Sequence, residues 1–175
     1  MKVSRQHSTT KQVAEAGQAV VEFACVTLIM VTMVFALIDF ARAIYDKEVM
    51  TNISREGSNL ASRGTDLASS AAAVIAGSQD LNLMANGRVI ITSITNTGSA
   101  FKITGQVSQG GLSASSRVGN GVGNPASLPA TPVTIPQKNQ TVYVTEVFYS
   151  YQPVTPIGRM VRLVLPSQLY DVAYF

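Results

Sequence analysis

The sequence predicts an α+β chain. A long N-terminal helix, apolar in its first half and extended beyond that in its second, leads to a second short helix and a small antiparallel sheet of about four strands. Three observations predict this. No proline occurs between Gln18 and Asn124, so nothing forces a break in an early helix. Phe23 to Ile38 runs without a charged residue. From Arg88 onward the apolar positions become β-branched and alternate with polar ones, the period of a half-buried strand.

Residues 1–17 are polar and leader-like, with Lys2, Arg5 and Lys11 against Glu15. The apolar run that follows spans roughly 24 Å as a helix, and roughly 32 Å when Gln18 to Glu22 are included, about the thickness of a bilayer's hydrocarbon. Thr27 and Thr32 can bond back to their own helix and do not prevent insertion. The chain is 46% hydrophobic and 13% charged, against about 25% charged in soluble domains, and this run accounts for most of the deficit. The basic residues ahead of the run favour a cytoplasmic N-terminus. Ala41-Arg42-Ala43 has the small-x-small form of a signal-peptidase site, but Asp39 and Arg42 crowd it and the helical pattern continues past it.

Beyond the run, Phe40, Ile44, Val49, Ile53, Gly57 and Leu60 recur at mostly helical spacing. Asp39 with Arg42, and Arg42 with Asp46, stand three and four residues apart; Asp39 and Arg42 are read as an ion pair marking the membrane exit. The first helix is expected over 18–63, with Gly64 ending it in a left-handed turn. Thr65 or Asp66 then caps a second helix over 67–76, closed by Gly77. Strands follow at 88–95 and 101–107, joined through Asn96-Thr97-Gly98-Ser99 as a hairpin. Of the 35 residues from Gly105 to Asn139, 15 are glycine, proline or serine, so 109–140 is expected to be an exposed, mobile loop. Strands at 141–152 and 168–175 complete the chain, with a short helix expected within 156–165 and Thr155 as its cap. The expected divisions are thus 1–17, 18–63, 64–108, 109–140 and 141–175.

The residue inventory offers little for catalysis. One histidine, His7, and one cysteine, Cys25, allow neither an intrachain disulfide nor a four-ligand zinc site. No histidine follows the leader. Gly119-Asn120-Gly121-Val122-Gly123 lies in the polar loop, not between a strand and a helix with a phosphate-holding lysine. The charge balance beyond residue 17 leaves no nucleic-acid footprint. No cofactor, metal or enzyme activity is expected. Cys25 reads as a small buried hydrophobe, and the tyrosines at 143, 149, 151, 170 and 174 as sheet-packing residues. Glu22 stands out: a carboxylate one turn inside an apolar helix is costly unless paired. Its other reading is a side chain favoured by the positive end of the helix dipole near the headgroups.

Ala16-Gly17-Gln18-Ala19-Val20-Val21-Glu22-Phe23 resembles the processing region of type IV prepilins, in particular the TadE-like pseudopilins of the tight-adherence (Tad) pilus system. Asp39-Phe40-Ala41-Arg42-Ala43-Ile44-Tyr45, Ser54-Arg55-Glu56-Gly57-Ser58-Asn59-Leu60-Ala61 and the strand from Val144 into Pro153-Val154-Thr155-Pro156 also look like landmarks of that family. The resemblance implies cleavage between Gly17 and Gln18 by a membrane prepilin peptidase. It implies that Glu22, as the new fifth residue, pairs with a neighbouring subunit's free amine, with Phe23 opening the assembly helix beside it. It further implies residence in a bacterial inner membrane with the C-terminal domain outside the cytoplasm, and partnership with other pilin-like subunits and the assembly platform. Two rival readings share the apolar segment: a single-pass membrane binding protein that never enters a filament, and a secreted β-domain released by signal peptidase.

Overall fold

A computed structural model describes residues 4–128, 136–161, 163 and 166–175. Side-chain surroundings are described from Gly17 onward, except at Gln79, Arg159 and Val161; the leader residues before Gly17, and residues 129–135 of the long loop, lie outside that description. The element order is α1 (Ser4–Ser62), α2 (Leu67–Gly77), a single 3-10 turn (Gln79–Leu81), α3 (Leu83–Asn86), β1 (Gly87–Asn96), β2 (Phe101–Gln109), β3 (Thr141–Ser150), α4 (Gly158–Val161) and β4 (Gln168–Tyr174). The strands form one antiparallel sheet in the order β2-β1-β3-β4. The fold is therefore the α+β arrangement that the sequence predicts.

Local chemistry accounts for the boundaries. Gly64 takes φ +89°, the left-handed conformation that a side chain resists, and ends α1. Asp66 caps α2, accepting the backbone N–H of Ser69 at 3.1 Å. Thr155 is not at the cap position of the short fourth helix, which begins at Gly158; its hydroxyl is donated to Asp39 instead. The 3-10 turn and α3 were not expected from the sequence; they are too short to set up a periodicity.

One face of the sheet packs on the helices. Met50, Ile53 and Ala61 of α1 and Ala71 and Val74 of α2 close over Val89, Ile91, Val147 and Tyr149. The buried stripe of α1 is rotated from the expected one: Ala43, Asp46, Met50, Ile53, Ser54, Gly57, Ser58 and Ala61 face inward, while Phe40 and Ile44 are exposed. Small residues win this face because the helix lies close to its neighbours. A Cβ on Gly57 would stand 2.7 Å from Val74 Cγ2 and 2.9 Å from Thr145 Oγ1, too near for any side chain.

The opposite face carries the expected loop, which is mostly exposed but packs a few residues on the sheet. Residues 110–128 form a strap across that face. Val118 is buried with Ile94 and Val144, and Ala126 and Leu128 pack against them. The strap also hydrogen-bonds the sheet's outer strand: Ile103 N–H donates to Asn124 O, Gly123 N–H to Ile103 O, and Ala126 N–H to Phe101 O. A glycine- and serine-rich segment stays ordered here because an open strand edge satisfies its backbone groups.

Candidate functional site

Three features stand out: the bare apolar half of α1, the junction where that half meets the domain, and two buried carboxylates that fasten the sheet.

The described part of α1, Gly17–Ser62, is long and apolar enough to cross a membrane, and no residue of its most apolar window is fully buried. Val20, Phe23, Leu28 and Leu37 are all more than 60% exposed, as no core residue could be. Thr32 donates its hydroxyl to Leu28 O at 2.7 Å, so its polarity is satisfied within the helix. Glu22 is exposed and accepts a hydrogen bond at 2.8 Å from the side-chain amide of Gln18, one turn earlier. A Cβ placed on Gly17 meets nothing within 4 Å. Packing explains the glycine at position 57 but not the one at position 17.

At the junction the expected Asp39–Arg42 ion pair is not formed. Arg42 instead pairs with Asp46 at 3.2 Å. Burial raises the Asp46 carboxyl above its ordinary value, and the Arg42 charge opposes that rise. Asp39 is fully buried beneath the segment that leaves β3. Its Oδ1 accepts the backbone N–H groups of Val154 at 2.9 Å and Thr155 at 3.2 Å, and its Oδ2 accepts the Thr155 hydroxyl at 2.5 Å. The Tyr151 hydroxyl donates to the Asp39 carbonyl at 2.7 Å. The physical reason is competition: three directed donors in a dry site outweigh one half-exposed guanidinium.

Further along α1, Asp171 of β4 gathers donors from three successive turns: Lys47 Nζ at 2.5 Å, the Thr51 hydroxyl at 3.2 Å and the Ser54 hydroxyl at 2.6 Å. Ser58 adds a bond to Ala173 O at 2.9 Å. On the strap side Glu146 of β3 is fully buried. It accepts the Arg117 backbone N–H at 2.8 Å, the Tyr170 hydroxyl at 3.0 Å and the hydroxyl of Ser116. The Arg117 guanidinium lies 3.8 Å from the Tyr170 ring centroid, a cation–π contact. Burial, then the Glu146 charge, pushes the Tyr174 hydroxyl up to about 12 and raises Tyr170 further still. Sequence reading singled out neither Asp171 nor Glu146. These contacts fasten and orient; among the described residues no group of three or more metal-ligating side chains is brought together.

Residues 17–59 match the family model described as TadE-like protein. The matched stretch takes in the apolar run, Asp39 and Gly57, and ends inside α1, so the similarity covers the long helix and the junction. No curated protein and no solved structure matches the chain.

Proposed function

We propose that this chain is a structural pseudopilin subunit: anchored in the bacterial inner membrane by α1, cut between Gly17 and Gln18, and joining a Tad-type pilus or its initiating complex. The observation that carries the reading is the coincidence of the TadE-like match with a helix whose apolar half is left bare. The pilin-type family is structural, which fits a chain whose buried carboxylates fasten elements together. The absence of any packing reason for Gly17 supports its role at the processing site. The polar bonds from α1 to β4 support a domain carried as one body with its helix.

In this reading the apolar helix stores the processed subunit in the membrane and later packs against like helices. Gln18 holds Glu22 within the lone subunit. On assembly a neighbour's freed α-amine takes over as partner, in a low-dielectric setting where pairing is stronger than in water. Phe23 continues the apolar surface beside it. Glu22→Ala and Glu22→Gln are therefore expected to leave the protein processed and resident in the membrane, yet poorly crosslinked to other pilin-like subunits. Membrane fractionation and crosslinking read the two steps separately. Parent-like crosslinking of both variants would reduce Glu22 to a residue favoured by the helix dipole.

A further inference from the structure

The segment that leaves β3 does not stay with the sheet. Asp39, the first charged residue after the apolar run, holds Val154 and Thr155 against α1. α4, which follows, also packs on α1. Within the apolar run Thr32, Phe35 and Ala36 are half-buried, whereas Leu37 and Ile38 are exposed. Thr32, Phe35 and Ala36 precede Asp39 by seven, four and three residues and share its side of the helix. The covered face thus continues roughly 10 Å from Asp39 back into the apolar run.

Among its described residues, three large apolar side chains of this returning segment are exposed. Val154 is 62% exposed, Met160 64% and Leu163 87%. In sequence, the stretch from Tyr151 to Tyr170 carries Arg159 and Arg162 and no acidic residue. Scattered exposed apolar residues are ordinary. Three of them on one short segment, fixed at the end of a bare membrane helix, are not scattered.

We propose that the segment bearing Val154, Met160 and Leu163 is a membrane-surface foot, seated at the boundary between headgroups and acyl chains of an anionic phospholipid bilayer. The inference rests on the reading of α1 as the membrane anchor and adds a second contact beside it. Interfacial segments bury apolar side chains about 5–10 Å into that boundary, matching the depth set by the Asp39 face, and arginines favour anionic headgroups. One helix alone leaves the domain free to swing and turn about its axis. A foot tied to Asp39 holds the domain at one orientation, with the same side always turned to neighbouring subunits.

The test uses the full chain with Cys25→Ala, reconstituted in vesicles of phosphatidylcholine and phosphatidylglycerol. Single cysteines are introduced as Met160→Cys, Leu163→Cys, Met30→Cys in the span and Val122→Cys on the strap, each labelled with an environment-sensitive fluorophore. Labels at 160 and 163 are expected to be quenched by shallow lipid-borne nitroxides and largely protected from aqueous iodide. The label at 30 should respond to deep nitroxides, and the label at 122 to iodide alone. If 30 responds to deep nitroxides while 160 and 163 behave like 122, the foot is wrong and the anchor stands. If 30 also behaves like 122, the anchoring reading fails, and the foot with it. Protection at 160 and 163 that disappears on diluting the protein in lipid would mean a second copy covers the segment, and would overturn the proposal. Equal protection in pure phosphatidylcholine would remove the anionic headgroup from it.

Discussion

Asp39→Ala is expected to destabilise the folded domain by about 3 kcal/mol, because it removes the acceptor of two backbone N–H groups and one hydroxyl in a site closed to water. Val154 N–H and Thr155 N–H both donate to this one buried carboxylate and lose that acceptor once it is gone. Each orphaned donor costs about 1–3 kcal/mol, offset in part by water that enters the vacated space. Asp39→Asn keeps an acceptor oxygen for the two N–H groups, and its amide can donate to the Thr155 hydroxyl oxygen. It should recover more than half of the loss. Membrane residence is expected to be unchanged in both, since the bare run of α1 is untouched. Thermal unfolding of the reconstituted protein, with amide exchange followed at 154 and 155, reads the effect. An Asp39→Ala protein as stable as the parent, with slow exchange at those amides, would show that the junction is held by packing alone.

Glu146→Ala is expected to cost a similar amount, about 3 kcal/mol, for a related reason. Removing a buried charge relieves a desolvation penalty, and this alone would stabilise. Against it stand a cavity and three donors left without an acceptor: the Ser116 hydroxyl, the Arg117 N–H and the Tyr170 hydroxyl. Three orphans outweigh one relieved charge. Glu146→Gln keeps one oxygen where Arg117 and Tyr170 point, and Ser116 can reverse to accept from the new amide, so the cost should fall to about 1 kcal/mol. The strap should become protease-sensitive within 110–128 in the alanine variant only. The alkaline limit should move as well. Tyr174 has a folded value raised from 10.0 to about 12, so the folded state holds that proton more tightly. Its contribution is complete below pH about 10 and is lost as pH rises towards 12, with Tyr170 shifted in the same direction. The Glu146 charge is among the causes at both tyrosines, so Glu146→Ala should lose less of its remaining stability above pH about 10 than the parent loses. Equal alkaline losses would separate the tyrosines from the carboxylate.

Local features were readable in the sequence, and long-range ones were not. The proline-free first third gives α1, Gly64 ends it, Asp66 opens α2, and Asn96 to Ser99 turns the hairpin, because each follows from residues within a turn of one another. Spacing left Arg42 with two acidic neighbours. The choice of Asp46 was made by donors 115 and 116 residues away that claimed Asp39 first. Composition alone does not reveal the strap, because it counts what a segment can bury and misses the strand edge that receives its backbone. A signal was nevertheless present. Glu146 stands among Val144, Thr145, Val147 and Phe148, and Asp171 between Tyr170 and Val172. A lone acid within an otherwise buried strand requires donors from elsewhere in the chain. Gly17 and Glu22 are exposed and touch no distant part of the chain, so their proposed roles come from the N-terminal motif and the TadE-like match.

The N-terminal residue of the membrane-extracted protein tests the central claim most directly. Isolated from a host with an active prepilin peptidase and sequenced by mass spectrometry, the protein is expected to begin at Gln18, and Gly17→Trp should retain the longer precursor. An uncut chain in that host would make α1 a static anchor. A start near Ile44 would make the domain a secreted protein without its membrane helix. Either result would contradict the assignment of this chain as a processed pseudopilin.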